Sequence, residues 1–174
     1  IYIGHIPDIG AAALTGVGLF APILMLINAF AVLAGSGGAP RAAIFMGRQQ
    51  KEEAEKIMGN CFSLLLRLAV LLTVLFYFFA PQLLRMFGAS DMTLPYGISY
   101  ARIYILGSIF VLVVMGMNPF ITTQGFAKIS MMTTIIGAVL NIILDPIFIF
   151  VLGMGVKGAA LATVLSQAVG AVWI

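Results

Sequence analysis

Ile9-Gly-Ala-Ala-Ala-Leu-Thr-Gly-Val-Gly-Leu-Phe-Ala-Pro-Ile-Leu-Met-Leu-Ile-Asn-Ala-Phe-Ala-Val-Leu-Ala-Gly-Ser-Gly-Gly-Ala-Pro40 contains no charged residue. About 20 consecutive apolar residues suffice for a helix to cross the hydrocarbon of a bilayer, and this run is longer. The rest of the chain agrees. It is 62% hydrophobic and only 9% charged, where globular domains carry about 25% charged residues. With a mean hydropathy of +1.14, there is too little polar surface to solvate a 174-residue globule. The net charge of +3 is small, and the basic residues gather near expected helix ends, which fits membrane topology and not nucleic-acid binding. The one cysteine, Cys61, excludes an internal disulfide. The chain begins at Ile1 without a cleavable signal pattern and ends at Trp173-Ile174 inside an apolar run, so it reads as a piece of a longer protein.

Outward from that run, residues 1–5 look like the tail of a preceding helix, and Pro7-Asp8 like a short polar turn. The first full span is expected at 10–33, ended by the glycines and proline of 35–40. A charged stretch follows from Arg41 to Lys56. In it Lys51 and Glu55, and Glu52 and Lys56, are i,i+4 pairs that start a helix at Lys51 outside the bilayer. The second span is expected at 57–80, closed by Pro81, with Arg85, Gly88, Ser90 and Asp91 in a loop. The third covers 96–119, the fourth 129–151, and the fifth begins at Gly158. The fold class is an all-α membrane protein: a polytopic helical bundle of about five transmembrane helices plus the end of a preceding one. Arg41, Arg48, Lys51, Lys56 and Lys128 fall in loops on one side, Arg85 and Lys157 on the other. That bias places the 41–56 loop in the cytoplasm of a plasma or inner membrane. Arg67 and Arg102 lie within spans; Arg67 can snorkel toward the cytoplasm.

The fourth span holds the chemistry. Asn141-Ile-Ile-Leu-Asp145-Pro146 places an amide and a carboxylate at i and i+4, on one helix face. An ionisable group inside a membrane costs at least about 2.5 kcal/mol at the helix centre, so it marks an ion pathway more often than a structural bond. Helix rise puts Asp145 about 9 Å below the end of its span and Thr163 about 7–8 Å below the start of the next. The two helices are antiparallel and joined by a short turn, so these side chains meet at one depth. Pro146 has no N–H and kinks the helix, leaving the carbonyl of Ile142 without its usual partner; loosened carbonyls hold Na⁺ in transporters. Carboxylate, amide, hydroxyl and carbonyl together make a site for a proton or Na⁺. Alone, Asn141 or Thr163 would serve as interhelical glue.

Weaker features accompany it. Ten methionines, among them Met115, Met117, Met131 and Met132, offer an adaptable cavity lining. Gly158, Ala162, Ser166 and Gly170 form a small-residue packing stripe. His5 sits at a helix end. The glycines at 35–38 lack the Gly-Lys-Ser/Thr ending of a phosphate loop. One His, one Cys and one intramembrane carboxylate build no catalytic constellation, so no enzyme is expected.

Asn141-Ile-Ile-Leu-Asp145-Pro146-Ile-Phe-Ile-Phe150 followed by Gly153-Met-Gly-Val-Lys-Gly-Ala-Ala-Leu-Ala-Thr163 resembles the fifth and sixth helices of multidrug and toxic compound extrusion (MATE) transporters. Ile3-Gly-His5 with Ala13-Leu14, Gly47 through Glu52-Glu-Ala-Glu-Lys-Ile-Met-Gly-Asn60, and Phe87-Gly-Ala-Ser90 agree. The resemblance implies a twelve-helix antiporter of two lobes, with residues 1–174 as a partial N-terminal lobe, from the end of helix 1 into helix 6, paired with a C-terminal lobe outside this sequence. It implies export of small cationic, amphipathic drugs or dyes, with H⁺ or Na⁺ as coupling ion and no other cofactor. It assigns Asn141, Asp145 and Thr163 to the cation site by side chain and Ala159 by backbone, with a further Asp on helix 1 before Ile1. Ala43-Ile44 stand where many members carry Ser-Arg. A lipid-linked oligosaccharide flippase of the same superfamily is the alternative, although its large anionic substrates call for more basic residues than Arg67 and Arg102. A non-transporting membrane fragment is another.

Overall fold

The structure is a computed structural model that describes residues 2–6 and 9–174. Helices account for nearly all of it, and no strand occurs among the described residues. Tyr2–His5 is a single 3₁₀ turn; the polar turn expected at Pro7-Asp8 lies outside the described residues. Then come α1 (Gly10–Gly18), α2 (Ala21–Gly47), α3 (Lys51–Met86), α4 (Leu94–Leu106), α5 (Ser108–Thr123), α6 (Ala127–Pro146) and α7 (Val156–Trp173). A π turn, Ile147–Val151, continues α6. These make five spans: Gly10–Gly47, Lys51–Met86, the bent pair α4–α5, Ala127–Val151 and Val156–Trp173.

Two expected helix ends are corrected. The first span does not stop at Gly35–Pro40. It breaks lightly at residues 19–20, and α2 then runs through both the glycines and Pro40 to Gly47. The second span does not stop at Pro81 but continues to Met86, so Arg85 is helical. In hydrocarbon an unsatisfied backbone group costs several kcal/mol, so a helix that forfeits one bond at a proline is better off than one that unwinds. The glycines of α2 serve packing instead. A Cβ on Gly35 would lie 2.7 Å from the Gly116 carbonyl oxygen of α5, and one on Gly38 would run into Cys61 Sγ of α3. Small residues let the backbones of α2, α3 and α5 approach closely.

The real stops are Schellman motifs. Gly88 (φ 98°) and Gly125 (φ 90°) take the left-handed position after α3 and α5. Their following residues donate back into the helix, from Ala89 to Leu84 O (2.9 Å) and from Phe126 to Ile121 O (3.2 Å). α2 ends the same way, with Gln50 N–H donating to Phe45 O at 2.9 Å, but here the left-handed residue is Gln49, at φ 65°. A side chain is disfavoured there. Gln49→Gly is therefore expected to stabilise the protein by about 0.5–1 kcal/mol, read as a higher unfolding midpoint in detergent. The basic region is accordingly a three-residue turn between two helices, not a loop across 41–56. Lys56 pairs with Glu53 at 2.7 Å rather than with Glu52.

The third span, expected as one helix, bends by 55° between α4 and α5. Its corner is Gly107, where a Cβ would strike the Val164 side chain of α7. At the bend Thr73 on α3 braces the corner: Thr73 Oγ1 donates to Ile105 O at 3.2 Å and lies 3.3 Å from Ser108 Oγ. Helix α7 packs against α6 and against both arms of the bent span. Phe20, fully buried, meets Tyr100 and Tyr104 of α4 edge-on at 5.7 and 5.5 Å.

Candidate cation site and cavity

Asn141 and Asp145 project together from the last turns of α6, and Thr163 faces them from α7. Asn141 Nδ2 donates to Asp145 Oδ1 at 3.3 Å and to Thr163 Oγ1 at 3.3 Å. Thr163 Oγ1 in turn donates to the Ala159 carbonyl at 3.0 Å. The four residues form one chain of hydrogen bonds, in which Asn141 is the bridge between carboxylate and hydroxyl. Ala159 is buried, and the three side chains are partly exposed.

The sequence explains the placement. Gly153 (φ 63°) and Gly155 (φ 54°) turn the chain sharply between the π turn and α7. Gly158 lets α7 press on the π turn, since a Cβ there would lie 2.6 Å from the Phe148 carbonyl oxygen. Pro146 ends the α-helical hydrogen bonding, and the wider π turn takes over, with Leu152 N–H donating to Ile147 O at 2.9 Å. Single π turns recur at functional sites because they re-aim side chains without breaking the helix. At Pro146, where the sequence leads one to expect a kink, the helix passes into this π turn.

Tyr100 was missed. It is buried on α4 and stands beside Thr163. Tyr104 stacks on it, with ring centroids 5.9 Å apart. Tyr96, Tyr100 and Tyr104 recur at i,i+4 through α4, and that spacing was the available signal.

A cavity of about 650 Å³ opens beside this cluster, between α2, α5, α6 and α7. Asn141 and Thr163 form part of its wall, together with Met115, Asn118, Gln167 and Val32. Met117 is buried in the core instead, and Met131 and Met132 are exposed on α6 outside the cavity. Asn118 Nδ2 donates to Ser130 O at 3.4 Å, while its buried Oδ1 has no partner. No charged residue lines the cavity among those described. Nor does any group of three His, Cys, Asp or Glu gather among them to hold a metal.

The sequence model of the family described as MatE matches residues 1–147. The chain belongs to the MatE family. Among curated relatives of this MatE chain, the multidrug export protein MepA of Staphylococcus haemolyticus is 31% identical over 156 residues, covering 90% of the chain and 34% of MepA. The FAD transporter of Shewanella oneidensis is 26% identical, covering 92% of the chain and 36% of that protein. A solved structure described as MATE in complex with MaD3S superposes with a TM-score of 0.90 at 33% identity, over 98% of this chain and 38% of that one. The MatE chain thus spans about a third of the length of the relatives it matches, and it is a multi-pass membrane protein. Its relatives are transporters by name, and none of those described is an enzyme.

Proposed function

We propose that these residues are the N-terminal lobe of a secondary antiporter that exports cationic amphipathic compounds in exchange for H⁺ or Na⁺, with Asp145, Asn141, Thr163 and the Ala159 carbonyl as the coupling site. The observation that carries this reading is that Asn141 and Thr163 belong at once to the cluster around Asp145 and to the cavity wall. A change at the carboxylate is therefore felt directly where a substrate would lie. Relatives named for multidrug export support the substrate class. The uncharged cavity speaks against a large anionic substrate, which needs cationic lining. Arg67 and Arg102 are both exposed, away from it.

The geometry supplies a way to couple. With Nδ2 of Asn141 turned inward, the amide satisfies an ionised Asp145 and Thr163 together. A bound Na⁺, or a proton on Asp145, reverses the preference: the cation attracts, and the protonated carboxyl donates to, the amide oxygen. The amide then turns by half a rotation. Its cavity-facing side changes from acceptor to donor, and substrate affinity changes with it. The coupling can be no larger than the cation's differential affinity for the two arrangements.

The test is efflux of a cationic dye from vesicles holding the full-length protein, with proton and Na⁺ gradients collapsed separately. One gradient is expected to drive export, and Asn141→Leu, which cannot turn, is expected to lower the driven rate about tenfold while leaving dye binding within a few-fold. Export that ignores both gradients would overturn the antiport reading.

A further inference from the structure

The outward face of α3 carries a feature that the transport site does not use. The buried seam of this helix is Leu65, Ala69, Leu72 and Phe76. Arg67 is two residues from both Leu65 and Ala69, about 160° round the helix from each, so it points away from the bundle and is exposed. Lys56, Asn60 and Ser63 precede it on that same side, within about 60° of one another. Beyond it the face turns wholly apolar, with Val70, Leu71, Val74 and Phe78 all exposed. One exposed stripe is thus polar toward the basic end of the helix and apolar toward the other.

Depth can be set from contacts. Leu65 packs opposite Gly116, which lies seven residues from the end of α5 at Thr123. Arg67 is therefore about 13 Å inside that end of the bundle. Its side chain leans toward the helix N-terminus and, extended, covers roughly half the remaining way. The guanidinium is thereby carried to within about 6–7 Å of that end, within reach of a phospholipid headgroup that bends toward it. Among the described residues no carboxylate pairs with Arg67, whereas Lys56 is held by Glu53. An unpaired guanidinium at this depth calls for an anionic partner, and its planar fork fits two phosphate oxygens.

We propose that Arg67 seats the phosphate of an anionic phospholipid from the leaflet at the basic end, with Asn60 and Ser63 as further donors and the Val70–Leu71–Val74 surface against its acyl chain. The full-length protein is placed in nanodiscs of phosphatidylcholine and phosphatidylglycerol, extracted, and its retained lipids counted by native mass spectrometry. Phosphatidylglycerol should be retained in preference to phosphatidylcholine. Arg67→Gln should cut that retention about fivefold, the effect of about one basic residue at a membrane surface. Ser63→Lys, which adds a cation to the stripe, should raise it. Arg102→Gln, at an exposed arginine beside Tyr77, should leave it unchanged. The proposal is overturned if wild type shows no preference, if Arg67→Gln retains as much phosphatidylglycerol as wild type, or if a photo-crosslinker at Leu71 captures polypeptide in place of lipid.

Discussion

Asp145→Asn in the full-length protein is expected to abolish gradient-driven export, lowering the initial rate at least about tenfold, a loss of about 1.4 kcal/mol or more of coupling. The replacement is nearly isosteric and keeps an oxygen that can accept from Asn141 Nδ2, the bond seen at 3.3 Å. The fold and the α6–α7 contact should survive. What is lost is the group that can take up and release a proton or attract Na⁺. A ligand shifts a two-state equilibrium only through differential affinity, and an uncharged amide gives the coupling ion almost none. Dye should still bind, and the signature is binding retained with driven transport lost. Membrane abundance and dye affinity are measured beside efflux. Equal efflux by variant and wild type at equal abundance would make Asp145 a structural residue and remove the centre of the coupling scheme.

The second large effect concerns two glycines separated by one residue. Gly35→Ala is expected to destabilise the protein by about 1–3 kcal/mol. Its new methyl would sit 2.7 Å from the Gly116 carbonyl oxygen and 3.0 Å from Pro119 Cγ. The first of these is backbone, so α2 and α5 would have to move apart. Gly37→Ala meets nothing within 4 Å and should be neutral or stabilising by up to about 1 kcal/mol, since alanine is the better helix former. Thermal unfolding of the two variants in one detergent makes the comparison. Similar midpoints would show that close α2–α5 packing does not hold the bundle together.

The same glycines show what could be read from the sequence. Five spans were legible, because apolar length is a strong signal and hydrocarbon allows few alternatives to a helix. Glycine and proline were poor guides to helix ends for the same reason. Gly35, Pro40 and Pro81 look like stops by the rules of water, yet all three lie inside helices. Gly88 and Gly125 were true stops, set by a left-handed backbone that composition alone does not distinguish. Gln49 could not have been found at all, since nothing about glutamine announces a positive φ. At the site, helical spacing and a short connection sufficed to bring Asn141, Asp145 and Thr163 together. Tyr100 arrives from a span that is distant in sequence and bent, so the i,i+4 spacing of the α4 tyrosines marked a shared helix face without saying that it meets Thr163. The methionines illustrate the converse: composition supplied the residue type, but only packing separates Met115 on the cavity wall from Met117 in the core.

The corner at Gly107 has a mechanical consequence. Val164 is lodged against that corner, and α7 lies along both arms of the bend. Val164 immediately follows Thr163. The elbow and the hydroxyl of the Asn141–Asp145–Thr163 cluster therefore share a single linkage: opening or closing the angle displaces α7, and displacing α7 changes the reach between Thr163 and Asn141. A substrate wedged against α5 would tug on the proposed coupling site through leverage, without touching it.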